Sequence, residues 1–414
     1  MRPLAWPAIS SLQSIKAGRA MLTAVIMMMA LIIPASLQAR APEVSLLICG
    51  EGAEIYELEG HAGLRINHPQ LGDFTVNWGV FDFNSPNFVY RFVKGETDYI
   101  AAAAPTEYFL RAYHRQGRTV RELSLNLDSI QAERITSLAL ENLKPENRVY
   151  RYNYVLDNCA TRPLEMIEAA IGDTVSLAPN SLAPQDASTF RNVMRHYHRN
   201  YPWYQFGIDL ALGSGIDRPI SERETGFAPV VLEEMVRGAK LTSGEPLTLR
   251  DGYLVGAPSD PSPSAGPTPW YLSPLFISLL LLAVAIWVSV MQVKGHSAGA
   301  RWFDTIYFTV TGLAGLLLTF LIFVSVHEAT SPNWLYLWLN PLCFIGAVTP
   351  WLKCAKRLEI CYQSVNFALL VALSIILLCG IQSPNPAFVP LITASGLRAV
   401  TDIYTLCSKR KTSR

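Results

Sequence analysis

Charged residues are scarce in this chain of 414 residues, at 16% against 50% hydrophobic residues. The formal net charge is only +1, and no basic stripe interleaved with aromatic residues occurs. These absences leave no electrostatic case for a nucleic-acid partner. The apolar excess is concentrated after Trp270, whereas residues 40–266 have an ordinary globular composition. The sequence therefore predicts a globular domain followed by a membrane domain.

Cysteine is also rare in the globular part, where only Cys49 and Cys159 occur. Two thiols in an oxidising compartment often pair, so one interpretation is a structural disulfide between them. The other interpretation is a reactive thiol. The histidine spacing His196-x-His198 fits no zinc ligand set, and we expect neither a metal nor a cofactor.

The amino terminus has the order of a secretory signal. Arg2, Lys16 and Arg19 precede a short apolar run over residues 20–34, and small residues follow near Ala39. This order predicts a signal peptide or an amino-terminal anchor over residues 1–41, and in either case export of the globular part.

Five apolar stretches near membrane-spanning length follow Trp270; they are residues 272–293, 303–326, 334–352, 365–380 and 388–405. Lys and Arg follow the first, third and fifth stretches, whereas residues 327–333 and 382–386 contain neither. By the positive-inside rule, these two loops and the globular domain lie outside the cytoplasmic membrane. We therefore predict a multi-pass inner-membrane protein with a periplasmic domain.

Composition divides the chain into five parts. The segment around residues 258–270 is rich in Pro, Ser and Gly and reads as a linker. The predicted parts are a signal or anchor (1–41), a periplasmic domain (42–257), this linker (258–270), an all-α membrane domain of about five helices (271–406) and a basic cytoplasmic tail (407–414).

Within the globular part, residues 44–49 and 120–127 read as strands and residues 61–81 as a hairpin around a Pro/Gly/Asn loop. A helix is expected over 129–143, capped by Asp128 or Ser129, and others over 188–201, 203–212 and 229–239. Tyr150, Tyr152 and Tyr154 alternate as in a strand.

A lone thiol, Cys159, lies between this tyrosine run and a helical pattern that ends at Gly172. A thiol at a helix amino terminus faces unbonded N–H groups, which favour the thiolate. Such a nucleophile needs a base and a group that orients the base, and His61 is the candidate base. If Ile66 pairs with Phe74 in the hairpin, Asn77 lies on the same face as His61, diagonal to it, and is the candidate orienting group.

Further polar residues are candidates for substrate contacts. Arg65 and Arg162 are suited to a phosphate or carboxylate, with a surface ion pair as the alternative for Arg65. Asn158 is a candidate oxyanion donor or a plain helix cap. His327 and Glu328 end the second apolar stretch on its outer side, where ionisable groups are often functional.

Three motifs in this order carry a resemblance to a known family. They are Gly60-His61-Ala62-Gly63-Leu64-Arg65, then Asn77-Trp78-Gly79, then Asp157-Asn158-Cys159-Ala160-Thr161-Arg162. Residues 44–236 with these motifs resemble the periplasmic domain of the Lnb family of bacterial lipoprotein N-acyltransferases. The resemblance implies an α+β, permuted papain-like fold related to NlpC-type hydrolases and to lecithin:retinol acyltransferases.

The resemblance also implies roles and partners. Cys159 is then the nucleophile and His61 the base of a two-step acyl transfer through a thioester. The donor is a phospholipid in the bilayer, and the acceptor is the amino-terminal amine of a diacylglyceryl lipoprotein. Two alternatives stay open, namely an NlpC-like cysteine peptidase or amidase that acts on the cell wall, and a non-catalytic assembly factor with a Cys49–Cys159 disulfide.

Overall fold

The computed structural model describes residues 41–52, 54–256 and 267–412, without the side chains of 409–412. The predicted signal or anchor and most of the predicted linker lie outside these residues. From Pro42 onward the described residues form one unit.

A seven-stranded antiparallel sheet organises the first half of the chain. Its strands are β1 (Glu43–Cys49), β2 (His61–His68), β3 (Gly72–Val80), β4 (Tyr99–Pro105), β5 (Val120–Leu125), β6 (Val149–Tyr150) and β7 (Thr248–Val255). They lie side by side in the order β6-β4-β3-β2-β1-β5-β7, so β6 and β7 are the edge strands. The predicted strands around Val44, Val120 and the hairpin are confirmed.

Eight α-helices surround the sheet among the described residues of this half. They are α1 (Phe88–Lys94), α2 (Thr106–Arg115), α3 (Ser129–Asn142), α4 (Thr161–Ile171), α5 (Phe190–His198), α6 (Pro202–Ala211), α7 (Glu222–Thr225) and α8 (Pro229–Arg237). The Asp128 side chain caps α3 by accepting from the Gln131 N–H, as predicted. The helix predicted after Cys159 is α4, and Gly172 ends it with φ 82°.

Alternation of side chains in β1 gives the sheet two apolar faces. Leu46 and Ile48 pack in the main core with residues of α3, α4 and α8, whereas Leu47 and Cys49 pack on the other face with Phe109 of α2. Both faces of the central strands are therefore covered, as their nearly continuous burial requires.

The predicted tyrosine strand is only partly correct. Strand β6 ends at Tyr150, and the chain then turns. The turn forms because the Asn153 carbonyl Oδ1 accepts from the N–H groups of Val155 and Leu156 at 3.2 and 3.1 Å. An asparagine that bonds its own backbone in this way competes with strand pairing.

The second half contains five further α-helices among the described residues. They are α9 (Pro274–Val293), α10 (Ala298–Phe323), α11 (Cys343–Val348), α12 (Lys356–Leu378) and α13 (Phe388–Thr412). Three helical segments are long and apolar enough to cross a membrane, namely Pro274–Val293, Ala298–Phe323 and Lys353–Leu378. Helix α13 is also long, but it carries Arg398 and Asp402, and it continues to Thr412 through most of the predicted tail.

The third predicted span, residues 334–352, is not one helix. It consists of a 3-10 helix (Trp334–Leu337), the short α11 and a second 3-10 helix (Thr349–Trp351). Asn340 breaks the run, because its Nδ2 donates to the Tyr336 carbonyl at 3.2 Å and its Oδ1 accepts from the Leu342 N–H at 3.1 Å. Apolar composition alone does not distinguish a broken helix from a continuous one.

Helix α1 fastens the sheet domain to the end of α10. The Val326 N–H donates to the Lys94 carbonyl at 2.8 Å, and the Ser325 hydroxyl donates to the Val93 carbonyl at 2.9 Å. Gly95, with φ 81°, follows α1, and a Cβ there would lie 3.0 Å from Val326 Cγ2. The close approach therefore depends on glycine.

Residues of α5 and α6 make a second set of hydrogen bonds, to the loop before α13. Arg195 donates to the Ser383 hydroxyl at 2.7 Å and to the Pro384 carbonyl at 3.1 Å. Asn385 donates to the Asp209 carboxylate at 2.9 Å. Asn333 donates to the Leu210 carbonyl at 2.8 Å, so the two loops without Lys or Arg both contact the sheet domain.

Candidate active site

His61 is the first residue of β2 and lies opposite Cys49 of β1. The predicted register of the hairpin is confirmed, since Ile66 pairs with Phe74 and Gly63 with Asn77. Asn77 consequently reaches His61 diagonally, and its Oδ1 lies 3.2 Å from His61 Nε2. Because an amide oxygen only accepts, Nε2 carries the hydrogen in the neutral ring and Nδ1 keeps its lone pair for a proton.

The protein holds this histidine neutral. Burial lowers the pKa of His61 to about 4, the hydrogen bond with Asn77 opposes this change, and the positive Arg118 adds to it. As a whole residue, His61 is half-buried. A neutral, oriented imidazole is the form that accepts a proton in general-base catalysis.

Cys159 lies two residues before α4, on the turn predicted for it. Its thiol interacts with the backbone N–H of Ala62, the residue after His61, and with the Tyr152 hydroxyl. Burial raises the pKa of Cys159 to about 11, while those two hydrogen bonds and its own N–H lower it. The resting nucleophile is therefore a protonated thiol beside several donors.

Asn158 builds the turn that presents the thiol. Its Oδ1 accepts from the N–H groups of Ala160 and Thr161 at 2.8 and 3.0 Å, and its Nδ2 donates to the carbonyls of Tyr154 and Phe227 at 2.8 and 2.9 Å. Both amide hydrogens are thus engaged. The Asn158 side chain therefore stabilises the turn before α4. This agrees with the interpretation as a cap rather than as an oxyanion donor.

A second thiol lies on the other side of the histidine. Cys49 and Cys159 are both free cysteines. The Tyr113 hydroxyl hydrogen-bonds with Cys49, and the Tyr113 ring stacks on the His61 ring with 6.4 Å between centroids. Burial raises the pKa of Cys49 to about 12, so this thiol is protonated at neutral pH.

A buried carboxylate belongs to the same region. Glu59, two residues before His61, accepts a 2.7 Å hydrogen bond from the Tyr154 hydroxyl, and its Oε1 lies 3.3 Å from His198 Nε2. The His198 ring is oriented by Gln205 at 2.8 Å. The negative charge of Glu59 raises the pKa of Cys159, although less than burial does.

The two candidate arginines are held in ion pairs. Arg65 binds Asp73 through two bonds of 2.9 and 2.6 Å and Glu122 at 2.7 Å. Arg162 binds Asp157 through bonds of 2.5 and 2.7 Å, and its guanidinium lies 4.1 Å from the centroid of the Tyr150 ring. Arg65 lies four residues along β2 from His61, whereas Arg162 braces the loop that carries the thiol.

His327 and Glu328 contact residues of the sheet domain. His327 Nε2 lies 2.8 Å from the Phe92 carbonyl, so it donates to that oxygen. Glu328 accepts from Asn153 Nδ2 at 3.1 Å. His327 therefore contacts helix α1, and Glu328 contacts the turn that precedes Cys159.

The structure brings His61, Asn77, Asn158 and Cys159 into one site. Sequence reasoning missed Tyr152, Tyr113 and Glu59. The alternating tyrosines just before Cys159 are the available signal for Tyr152, but the alternation by itself predicts only a strand. Within residues 41–52, 54–256 and 267–412, no cluster of three or more His, Cys, Asp or Glu side chains is arranged to hold a metal.

Comparison with protein families identifies both domains of the chain. The Lnb N-terminal periplasmic domain matches residues 33–196, and the Lnb transmembrane domain matches residues 267–410. No curated protein and no solved structure shows a significant match. The chain thus belongs to the Lnb family, as a membrane protein of the lipoprotein N-acyltransferase type with a periplasmic domain.

Proposed function

We propose that this protein moves an acyl chain from a phospholipid to the amino-terminal amine of a diacylglyceryl lipoprotein, with Cys159 as nucleophile and His61 as base. The observation that carries the proposal is the Cys159 thiol against the N–H of Ala62, next to the hydrogen-bonded pair of His61 and Asn77. A helix bundle suits a reaction in which donor and acceptor are both lipids.

In the first half-reaction, His61 Nδ1 takes the thiol proton while the Cys159 sulfur attacks the carbonyl carbon of an acyl ester. The carbonyl oxygen becomes an oxyanion. The Ala62 N–H, the Tyr152 hydroxyl and the Cys159 N–H, which interact with the sulfur, are the candidate donors to this oxyanion. When the ester C–O bond breaks, the glycerol oxygen recovers the proton from His61, and a lysophospholipid leaves a thioester on Cys159.

In the second half-reaction, the neutral amine of the lipoprotein attacks the thioester carbonyl. His61 takes a proton from the attacking nitrogen, the C–S bond breaks and the sulfur leaves as a thiolate, which recovers the proton. The product is an amide. Thioesters are activated toward amines, and a site that excludes water limits their loss by hydrolysis.

The membrane orientation is part of the proposal. We place the site on the periplasmic side of the inner membrane in a multi-pass protein, because the loops without Lys or Arg contact the sheet domain through His327, Ser383 and Pro384. The thiol then lies on the side of the membrane where exported lipoproteins arrive.

The direct test is the acylation state of lipoprotein amino termini in cells whose only enzyme of this type is the Cys159→Ala variant. We expect diacylated termini with a free amine, and the same result for His61→Ala. The matched control is Cys49→Ala, which removes the neighbouring thiol and leaves triacylated termini. Triacylated termini at an unchanged level in Cys159→Ala would exclude the proposal.

Two alternatives make different predictions. The first alternative is an inert assembly factor with a Cys49–Cys159 disulfide. Formation of this disulfide removes two hydrogens, about 2 Da, so the intact mass with and without reductant detects it. A disulfide in all molecules in cells would contradict a thiol enzyme. A cell-wall peptidase or amidase releases peptide from peptidoglycan. In that case Cys159→Ala changes muropeptide composition rather than lipoprotein acylation.

A further inference from the structure

A row of aromatic rings connects the membrane helices with the candidate nucleophile. We call it the aromatic path and define it by Phe92, Phe88, Phe81, Tyr99 and Tyr152. Successive ring centroids lie 5.6, 5.7, 5.3 and 4.7 Å apart. These distances are those of rings in direct contact, so the path is continuous.

The lower end of the aromatic path meets a candidate membrane span. Tyr90, on the same helix α1, contacts Phe320 near the end of α10, with 6.0 Å between ring centroids. The backbone of α1 is hydrogen-bonded to Ser325 and Val326 just beyond that helix. Helix α1 therefore lies at the outer end of a segment suited to cross the bilayer.

The upper end of the aromatic path is the site itself. The Tyr152 hydroxyl hydrogen-bonds with the Cys159 thiol, and the Tyr152 ring stacks on Tyr99. Gly79, with φ 84°, lies against the same ring, since a Cβ there would be 2.9 Å from Tyr152 Cε2. The ring that ends the path is thus fixed beside the sulfur.

Large apolar side chains flank the path and remain exposed. Helix α1 buries no residue, and Val89, Tyr90 and Phe92 are 73%, 53% and 43% exposed. Phe83 is 58% exposed and contacts the Phe81 ring at 4.7 Å. Single exposed apolar residues are ordinary, but a contiguous group beside a membrane helix marks a surface that has an apolar partner.

The charges of α1 argue against a free anion, such as inorganic phosphate, or an acidic peptide as that partner. Arg91 donates to Asp98 at 2.8 Å, and Lys94 lies 2.7 Å from Glu96. Both cations of this helix are therefore already paired. The remaining surface offers rings and aliphatic groups, which suit a hydrocarbon chain.

We propose that the aromatic path and its exposed flank bind an acyl chain of a phospholipid from the outer leaflet and guide its ester to Cys159. The inference rests on the proposed function, because it assigns the donor site of that reaction. It commits to the phospholipid as occupant, since the flank begins at the end of a membrane helix and the row of rings ends at the nucleophile.

The test uses full-length Cys159→Ala protein in phosphatidylethanolamine vesicles that contain a phospholipid with a diazirine on one acyl chain. After illumination, peptide mass spectrometry locates the attached lipid. We expect cross-links within residues 81–92 in addition to those on the membrane helices. The double variant Phe83→Ser, Val89→Asp should lower the yield in 81–92 at least five-fold.

Leu249→Ser is the matched control. Leu249 is 59% exposed, like Phe83, but it lies on β7 at the opposite edge of the sheet. This variant should leave the yield within two-fold of the parent. An unchanged yield in the double variant, cross-links confined to the membrane helices, or labelling of 81–92 only by a diazirine-bearing diacylglyceryl lipopeptide would each overturn the inference.

Failure of the inference is distinguishable from failure of the proposed function. Cross-linking needs no thiol, whereas thioester formation on intact Cys159 with a short, water-soluble ester needs no membrane path. A thioester without cross-links in 81–92 refutes the acyl-chain site and leaves the transferase. Cross-links without a thioester from either donor support the site and refute the proposed chemistry.

Discussion

The resting protonation state of the site gives a prediction that can be worked out in detail. With the pKa of Cys159 at about 11 and that of His61 at about 4, proton transfer between them is unfavourable by roughly seven pKa units, on the order of 10 kcal/mol. The pair is therefore neutral at rest, and His61 takes the proton only as the sulfur attacks. A papain-like ion pair would instead be charged before substrate binds.

Alkylation of Cys159 by iodoacetamide separates these two states. Relative to a thiol at the ordinary value of 9.0, a pKa of about 11 lowers the thiolate fraction at pH 7 roughly 100-fold. The greater nucleophilicity of a more basic sulfur recovers roughly ten-fold of this loss. We therefore expect alkylation about ten-fold slower than for free cysteine, with a rate that rises steadily from pH 6 to 10.

The assay compares detergent-solubilised wild type with His61→Ala and follows the Cys159 peptide by mass spectrometry, so that Cys49 is scored separately. His61→Ala should alkylate within two-fold of wild type although it has lost acyl transfer. A rate plateau between pH 5 and 8, or a ten-fold drop in His61→Ala, would refute the neutral pair. Thioester formation itself should be lost only as the pH falls through about 4, where His61 becomes protonated.

Three further predictions follow from contacts in the sheet domain. Tyr152→Phe removes the hydroxyl that donates to Cys159 and should slow thioester formation by a factor on the order of 10 to 1,000 at unchanged thermal stability. Single-turnover mass spectrometry measures the rate, and a melting curve measures the stability. An unchanged rate would contradict this role of the hydroxyl. Gly79→Ala strains a backbone with positive φ and places a Cβ 2.9 Å from the Tyr152 ring. Both the melting temperature and the rate of thioester formation should therefore fall. A stable variant with the full rate would show that the position of the Tyr152 ring does not matter. Arg191→Leu leaves buried Asp217 without the arginine that binds both of its carboxylate oxygens at 2.7 and 2.9 Å. It should cost about 3–5 kcal/mol in urea unfolding, whereas a loss below about 1 kcal/mol would show that the pair contributes little.

The β2–β3 hairpin was predictable because its determinants are local. A Pro/Gly/Asn loop sets the register of β2 and β3, and the two-residue period of a strand then places Asn77 diagonal to His61. The cap at Asp128 and the glycine after α4 are local signals of the same kind. The relation of the domain to papain-type folds remains a prediction.

Long-range contacts were beyond reach of the sequence. The contact of Glu59 with His198 joins residues far apart in the chain, and no pattern of spacing encodes it. Alternating tyrosines suggested a strand where Asn153 makes a turn instead. Likewise, the apolar run over residues 334–352 hides a break that depends on Asn340 bonding its own backbone.

Hydrogen bonds at two separate places join the sheet domain to the helices of the second half. They fix the position of the thiol relative to those helices. Helix α1 is hydrogen-bonded beyond α10 through Val326, and Arg195 is bonded to the loop that contains Ser383. Two separated attachments oppose tilting of the domain about either one. Under the proposed function, a transferase held in this way would select its acceptor by depth, because an amine would reach the sulfur only at one level above the bilayer. A lipid-anchored cysteine would meet that condition whatever residues follow it, so one such enzyme could serve lipoproteins with unrelated sequences.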